Sequence, residues 1–429
     1  MAKKNGKKKW TLMIYLAGDN NLDQAGVADL MEMKQVGSTA DINVVAQFDR
    51  AGSRQTNRYY LSKGGTLAKD VVEPLGETNT GDPQVLIDFA TWGVKNYQAD
   101  HYMLVLWNHG AGWDDSNLYE GDYFSGATPP IARKRAIVAP GSKKSTDKPL
   151  DFGVARAGVR RARRALFRTT VQRMVTTRAI AFDDGAQDFL DNIEMKRVLT
   201  DVKNLIGHKI DIIGFDACLM SMVEVSNQVK GAANYAVGSE EEEPGEGWPY
   251  DTILKALAAK PAMTPAELAS TVTSKYLASY KANANVTFAA TDLGAIDPLM
   301  LSIDKLANTL SNELNDTTVR TAIMTARTQA QEYTSPYDDY VDLADLCSLI
   351  AHYTAKPDIA TACAAVKASI TKAVILQGAK GSKVKDSNGI SIYFPKKQVC
   401  KLYATLDFAK KNKWPKFLED YLAAATKRP

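Results

Sequence analysis

Short apolar runs recur along this chain, and each run ends in polar or glycine-rich residues. The runs lie at residues 11–17, 43–48, 102–107, 179–182, 210–215, 285–290 and 389–394. Continuous β-branched and aromatic runs of this length are typical of strands that are buried on both faces of a mainly parallel sheet. Segments 82–97, 186–206 and 252–281 have the spacing of helices that would cover those faces. The alternation predicts an α/β three-layer sandwich, in which sites lie at the carboxyl ends of strands.

Two segments interrupt this pattern and indicate how the chain is divided. Residues 116–178 carry few core signals, and from 131 to 178 there are fourteen Lys or Arg residues against two acids. This composition is typical of a long surface insertion between two strands. We predict a basic tail at 1–10, a main α/β domain at 11–295 that contains the insertion, and a mostly helical C-terminal region at 296–429 that completes the fold.

The overall composition is that of an ordinary globular protein. The 429 residues are 45% hydrophobic and 24% charged, and the net charge of +4 is too small to indicate nucleic-acid binding by the whole molecule. No stretch of 18 or more apolar residues exists, so no membrane span is predicted. The basic N-terminus is like a signal-peptide n-region, but the apolar run that follows it is too short for an h-region. Four cysteines without CxxC spacing signal neither a zinc site nor a disulfide framework.

A histidine and a cysteine follow two of the predicted strands. His109 follows the run at 102–107 and precedes Gly110, and Cys218 follows the run at 210–215. A neighbouring imidazole promotes formation of the thiolate, which attacks a carbonyl, and later protonates the leaving amine. The backbone N–H groups of Gly110 and Cys218 could stabilise the resulting oxyanion. Spacing alone leaves two alternatives open: a buried cysteine that acts as a small hydrophobe, and a structural histidine.

Seven motifs that run nearly the whole length, in order, carry a family resemblance. They are IYLAGDNNLD (14–23), VVAQFDR (44–50), LWNHGAGW (106–113), IIGFDACLMSMVEV (212–225), VGSEEEEPGEGWPYD (237–251), YVDLADL (340–346) and GISIYFP (389–395). In these motifs the chain resembles the clostripain family of cysteine peptidases, which is related in fold to caspases, gingipains and legumain. The resemblance implies a caspase-like α/β core, a catalytic dyad of His109 and Cys218, and peptide substrates that are cut after Arg or Lys.

The resemblance also assigns Asp216 to the floor of the S1 pocket. A carboxylate beside the nucleophile would attract a cationic P1 side chain, and arginine could pair with it bidentately. The alternative is that Asp216 caps the helix that follows it. The acidic, glycine-rich loop at 237–250 is a further candidate for the substrate cleft, with Trp248 and Tyr250 packing on the peptide.

Relatives in this family are often made as zymogens that cut themselves between the histidine strand and the cysteine strand. The arginine-rich insertion of this chain lies there, and an exposed loop is readily nicked. We predict cleavage between Arg178 and Ala179, with other basic positions upstream as alternatives. The spacing of 109 residues from His109 to Cys218 is long for this family, which leaves the number and position of cuts open. A solvated basic loop, or one that binds an acidic partner, is the competing interpretation.

Calcium stimulates several relatives, although the chemistry itself requires no cofactor. No EF-hand pattern is present. Acidic clusters at Asp183–Asp184, Asp188–Asp191 and Glu240–Glu243 could hold calcium, and each could equally be a solvated surface patch. The metal site and the oligomeric state are therefore left open. The N-terminus as given indicates the cytoplasm, whereas relatives are commonly exported or attached to the cell envelope.

Two rival hypotheses remain at this level. One is an inactive homologue whose basic insertion binds nucleic acid or another anionic surface, which the charge density at 131–178 favours. The other is a peptidase with a different P1 preference, since caspase-like and legumain-like relatives cut after other residues. Retention of His109, Cys218 and Asp216 argues against the first, and an acidic S1 floor argues against cleavage after Asp or Glu.

Overall fold

Most of the apolar runs predicted as strands lie in one nine-stranded sheet. The computed structural model describes residues 7–110, 112–113, 180–183, 186, 188–333 and 339–426. Its strands are β1 (Lys8–Gly18), β2 (Ile42–Arg50), β3 (Gln55–Tyr60), β4 (Val71–Gly76), β5 (Ala99–Trp107), β6 (Ile180–Asp183), β7 (Asp188–Leu190), β8 (Ile210–Asp216), β9 (Ala233–Gly238), β10 (Val286–Asp292), β11 (Glu332–Tyr333), β12 (Tyr340–Asp342), β13 (Val374–Lys380) and β14 (Ser391–Tyr393). The order across the large sheet is β13-β10-β9-β8-β5-β1-β2-β3-β4.

The centre of this sheet is parallel and its margins are antiparallel. Strands β9, β8, β5, β1 and β2 run parallel to one another. On one side β10 and β13 are antiparallel, and on the other side β3 and β4 are antiparallel. The α/β fold with a mainly parallel central sheet, predicted from the apolar runs, is confirmed.

Two predicted strands lie outside the large sheet. Strand β6 pairs with β7 in a hairpin, and β14 pairs with β12 in a three-stranded sheet that also contains β11. Strand β1 begins at Lys8, so residues 8–10, which the sequence analysis placed in the tail, belong to the sheet. The insertion at 116–178 and the predicted Arg178–Ala179 cleavage position lie outside the described residues.

Helices cover both faces of the sheet. They are α1 (Asp23–Met33), α2 (Pro83–Asn96), α3 (Asn192–Ile206), α4 (Val223–Val229), α5 (Tyr250–Ala259), α6 (Pro265–Ser279), α7 (Ile296–Asn312), α8 (Thr317–Gln329), α9 (Leu343–Thr354), α10 (Pro357–Ala373), α11 (Asp407–Lys411) and α12 (Trp414–Thr426). The single helix predicted at 252–281 is two helices, because Thr264 and Glu267 form a capping box and Pro265 occupies the first helical turn of α6.

The alternation of side chains along β1 shows how the two faces are filled. Met13 and Tyr15 pack in the core cluster shared with α2 and α3, whereas Leu12 and Ile14 pack in a second cluster shared with α5 and α6. All four side chains are almost completely buried. A strand buried on both sides must be apolar at every position, which is why β1 reads as a continuous run. Within the described residues no helix is long and apolar enough to cross a membrane.

The C-terminal region braces the segment that follows β8. Ser391 on β14 donates its backbone N–H to the carbonyl oxygen of Ser221 at 3.0 Å, and the Ser221 hydroxyl donates to Gly389 at 2.8 Å. On α4, one carboxylate oxygen of Glu224 accepts from the Tyr393 N–H at 3.0 Å and from the Tyr403 hydroxyl at 2.8 Å. The turn after β8 is therefore held by residues some 170 positions further along the chain.

Glu224 makes folding stability depend on pH at this brace. The side chain is 1% exposed, and burial raises its pKa to about 7, against the hydrogen bonds from Tyr393 and Tyr403. The folded state therefore favours the protonated carboxyl. The resulting contribution to the free energy of unfolding is lost as pH rises from the pKa of an unfolded-state glutamate to the folded-state pKa of about 7. We expect Glu224→Gln, which carries no charge, to be more stable relative to wild type at pH 8 than at pH 5, by roughly 2–3 kcal/mol.

Denaturant unfolding at the two pH values measures this difference. The control is Glu419→Gln, an exposed position on α12. If Glu224→Gln and Glu419→Gln show the same pH dependence, the Glu224 carboxyl is not the source of the effect.

Candidate active site

Strand pairing brings together the turns that carry His109 and Cys218. Strands β5 and β8 are parallel neighbours, and Trp107 at the end of β5 is paired with Asp216 at the end of β8. One residue further, the Asn108 backbone N–H donates to the Asp216 carbonyl oxygen at 3.2 Å. His109 and Cys218 each lie two residues beyond this last pair, so both emerge at the same edge of the sheet.

The close approach of the two turns depends on Gly110. A Cβ atom at this position would lie 2.4 Å from the carbonyl oxygen of Cys218, 2.9 Å from its backbone nitrogen and 2.7 Å from Cβ of Ala217. Any side chain at residue 110 would therefore force the turns apart. The two backbones assigned from the sequence to an oxyanion hole are in contact, and the oxyanion role itself stays a prediction.

The loop after β9 contacts the Cys218 thiol and the turn that carries it. The Glu243 N–H donates to Sγ of Cys218 at 3.2 Å, and the Leu219 N–H donates to the Glu241 carbonyl oxygen at 3.3 Å. Leu219 has a φ of 65°, in the left-handed region that non-glycine residues rarely adopt. Strained turns of this kind occur at functional sites, and an N–H that points at sulfur favours the thiolate. Cys218 is partly exposed.

His109 contacts a residue that the sequence analysis did not identify. Nε2 of the imidazole lies 2.8 Å from Oδ1 of Asn21, in the loop after β1. The preceding side chain, Asn108, accepts a hydrogen bond from the His109 backbone N–H and donates one to the carbonyl oxygen of Ala17 at the end of β1. Strands β1, β5 and β8 therefore all contribute to one site at their carboxyl ends, where the strand order reverses.

A cluster of three buried carboxyl groups lies behind the thiol. Asp216 accepts from the Tyr250 hydroxyl at 2.8 Å and from the backbone N–H of Trp248, and it shares a hydrogen bond with the carboxyl of Glu243. Asp29, on α1, accepts from the indole N–H of Trp107 at 2.6 Å. From the sequence only Asp216 was assigned to a pocket; Glu243 was considered only within the Glu240–Glu243 calcium cluster, and Asp29 was not identified.

Burial raises the pKa values of all three acids. Desolvation raises the pKa of Asp216 to about 7, opposed by hydrogen bonds from Tyr250, Glu243 and Trp248. Desolvation, together with the charge of Asp216, raises the pKa of Asp29 to about 9 and holds that of Glu243 well above its usual range. Three acids in close contact favour the entry of a positive charge, which would allow them to ionise.

The structure corrects two expectations about this region. Trp248 and Tyr250 are 1% and 3% exposed and lie in the hydrophobic core, so they do not offer surface to a peptide. They instead hydrogen-bond to Asp216, through the Trp248 backbone N–H and the Tyr250 hydroxyl. Asp216 does not cap the following helix, because α4 starts at Val223 and its N-cap residue, Met222, makes no side-chain capping bond. The aromatic side chains became buried because the loop folds back over the acid cluster.

The acidic clusters considered for calcium have structural partners. Asp183 accepts from the Thr80 N–H at 2.9 Å, Asp188 accepts from Asn79 at 2.6 Å, and Asp191 caps α3. Glu240 is buried and accepts from the Gly389 N–H at 2.8 Å. Among the described residues, no group of three or more His, Cys, Asp or Glu could hold a metal ion.

The remaining histidines and cysteines lie elsewhere. His101 contacts Asp211, and Cys347 and Cys363 are buried in helices α9 and α10.

Comparison with known proteins identifies the family and the fold of the chain. A model of the clostripain family matches residues 14–122 and 168–421 of the chain, which confirms the resemblance seen in the motifs. Clostripain from Hathewaya histolytica is 31% identical over 150 residues, a match that covers 27% of this chain and 28% of clostripain. The match therefore spans well under two thirds of that curated relative.

Solved structures share the fold over nearly the whole chain. A secreted C11 cysteine protease from Bacteroides thetaiotaomicron, in complex with an irreversible peptide inhibitor, superposes with a TM-score of 0.62 at 20% identity and covers 95% of this chain and 99% of that chain. An inactive zymogen C11 protease from Parabacteroides distasonis superposes with a TM-score of 0.62 at 21% identity. The superposition covers 95% of this chain and 98% of that chain. The likeness confirms the predicted caspase-like fold.

The geometry predicts a selectively reactive thiol at Cys218. Iodoacetamide at neutral pH should alkylate Cys218 before Cys400, the other partly exposed cysteine, and peptide mapping by mass spectrometry would show the order. His109→Ala should slow alkylation of Cys218 by about tenfold or more, because the imidazole no longer supports the thiolate. Equal rates at Cys218 and Cys400 in the wild-type protein would contradict an activated thiol.

Proposed function

The chain belongs to the clostripain family of cysteine peptidases, and we propose that it is an endopeptidase that cuts peptide bonds after arginine or lysine. The observation that carries this proposal is the contact between the His109 and Cys218 turns, with a buried acid cluster beside the thiol. A nucleophile, a base and a group of acids that attracts a cation lie at one edge of the sheet. Together they supply the side-chain roles that cleavage after a basic residue requires.

The reaction proceeds by acyl transfer. His109 takes up the proton of the Cys218 thiol, and the sulfur attacks the scissile carbonyl. The negative charge that develops on the carbonyl oxygen is stabilised by the backbone N–H groups of Gly110 and Cys218. His109 then donates a proton to the departing amine, which leaves an acyl group attached to sulfur as a thioester. Water, deprotonated by His109, hydrolyses the thioester and releases the thiol.

Specificity for a basic P1 side chain comes from the acid cluster. A guanidinium group can pair bidentately with one carboxylate, and burial strengthens that interaction. Gly247 covers the cluster without a side chain: a Cβ there would lie 3.3 Å from Oδ1 of Asp216 and 3.6 Å from Oδ2 of Asp29. Because Asp216 is only 5% exposed, the loop that contains Gly247 must yield to admit a P1 side chain.

Self-processing fits the same specificity. The basic insertion between the histidine and cysteine strands offers many P1 residues, and one structural relative was crystallised as an inactive zymogen. We place the principal cut between Arg178 and Ala179, immediately before β6. The chemistry uses side chains and backbone amides of the chain, and calcium is a candidate activator to be tested by addition and chelation.

The P1 assignment predicts the behaviour of Asp216→Asn. We expect kcat/KM for an arginine peptide to fall by at least about 100-fold, because a buried charge pair with the substrate is lost. The matched peptide with citrulline at P1, which has the shape of arginine without its charge, should change by less than about fivefold. Asp201→Asn, at an exposed position on α3, is the control and should leave both values unchanged.

The same assignment predicts a pH dependence of substrate binding. Since the pKa of Asp216 is about 7, the free pocket becomes more anionic as pH rises through 7. KM for the arginine peptide should therefore decrease between pH 6 and pH 8, whereas KM for the citrulline peptide should not. Preferential cleavage after aspartate at any pH would show that the pocket has been assigned wrongly.

Self-cleavage is tested with intact mass measurements. Wild-type protein should split after a basic residue between 133 and 178, and Cys218→Ala should stay whole until wild-type enzyme is added. Arg178→Gln should lose the cut before Ala179, whereas Arg173→Gln should keep it. If Cys218→Ala splits at the same position without added enzyme, cleavage is the work of another protease.

A further inference from the structure

The loop after β1 reaches the imidazole of His109. Asn21, which is exposed, lies in this loop between Asn20 and Leu22, and its Oδ1 is 2.8 Å from Nε2 of His109. The two residues are 88 positions apart in the chain, so the contact is created by the parallel pairing of β1 with β5. A hydrogen bond of this length to a ring nitrogen determines where the imidazole carries its proton.

The loop is held in place by the side chain before Asn21. Asn20 is 7% exposed, donates to the carbonyl oxygen of Ala17 at 3.0 Å and accepts from the Leu22 N–H at 2.8 Å. The same Ala17 carbonyl oxygen also accepts from the amide of Asn108, the residue before His109. One backbone oxygen therefore anchors both the loop that carries Asn21 and the turn that carries His109.

The other end of the loop is fixed by an ion pair. Asp23, the first residue of α1, is buried and binds Arg50 bidentately, with both nitrogen–oxygen distances at 2.9 Å. Arg50 is the last residue of β2, the strand next to β1. Asn21 thus lies between two anchored residues, Asn20 and Asp23, and its backbone position is set by the sheet.

We propose that Asn21 is a positioning residue for the reaction, which accepts the Nε2 proton of His109 and leaves Nδ1 to exchange a proton with Cys218. A neutral imidazole has one N–H group, and an amide oxygen can only accept. The tautomer with hydrogen on Nε2 is therefore selected, and the ring plane is fixed. When Nδ1 takes up the thiol proton, the bond from Nε2 remains and strengthens, because its donor is then charged.

This inference rests on the proposed function, in which His109 serves Cys218, and it adds a third member to the dyad. Asn21 contributes orientation and no charge, in the manner of the Cys-His-Asn sites of papain-like enzymes. A bound peptide would exclude water from the exposed Asn21–His109 contact and so strengthen it. The competing view is that Asn21 is a loop residue whose contact with His109 has no consequence for the reaction.

The experiment compares Asn21→Ala, which removes the acceptor, with Asn21→Asp, which retains an oxygen at the same place. Asn96→Ala, an exposed asparagine at the end of α2, is the control. We expect Asn21→Ala to lower kcat for an arginine peptide by about 10-fold to 100-fold with KM within about twofold. Asn21→Asp should recover kcat to within about fivefold of wild type, and Asn96→Ala should match wild type.

A second readout is independent of peptide cleavage. The rate at which iodoacetamide alkylates Cys218 depends on support of the thiolate by His109, so it should fall several-fold in Asn21→Ala and recover in Asn21→Asp. Wild-type-like kcat and alkylation in Asn21→Ala would overturn the inference and leave the proposed function standing. Equal losses in Asn21→Ala and Asn21→Asp would also overturn it, because the acceptor oxygen would then be irrelevant.

The two proposals can fail separately. If wild-type protein cleaves neither an arginine peptide nor a lysine peptide, the proposed function is rejected. Slower Cys218 alkylation in Asn21→Ala would in that case still support the positioning role, and unchanged alkylation would reject it as well.

Discussion

The site depends on the parallel pairing of β5 with β8. This pairing aligns Trp107 with Asp216, and two residues of turn on each strand then bring His109 and Cys218 to the same edge. Parallel strands place their carboxyl ends together, so residues far apart in sequence meet without any bend in the sheet. Gly110 completes the arrangement, since a single methyl group there would collide with the backbone of Cys218. The register between β5 and β8 and the absence of a side chain at Gly110 thus determine how His109 and Cys218 are placed.

The acid cluster shows that this site is not optimised for stability. Asp29, Asp216 and Glu243 are buried together, and each has its pKa raised, chiefly by desolvation. Buried ionised groups of one sign are costly unless a counter-charge is present, so the free protein favours their protonated forms. Replacement by apolar residues would relieve that cost. Retention of carboxyl groups is physically reasonable if a cationic substrate side chain is the missing partner.

The sequence was sufficient for the parts of the fold that carry a strong local signal. Strands such as β1 are buried on both faces and appear as continuous apolar runs, whereas β4 alternates between half-buried and exposed residues at the sheet margin and was missed. His109 and Cys218 could be found because each follows such a run. Asn21 and Asp29 could not, because nothing local distinguishes an asparagine that contacts His109 from one that contacts water. Trp248 and Tyr250 were misplaced because a glycine-rich segment gives no indication of burial.

The position of the basic insertion matters because both of its ends are anchored independently. Before it, Trp113 is 1% exposed and packs edge-on against the rings of Tyr393 and Tyr403 from the C-terminal region. After it, the β6–β7 hairpin is held to the loop before α2, where the Asp183 carboxylate accepts from the Thr80 N–H and a Cβ on Gly81 would collide with the backbone of Phe189. The pairing of β5 with β8 needs no covalent connection between them. A cut within the insertion would therefore leave the histidine and cysteine turns in contact.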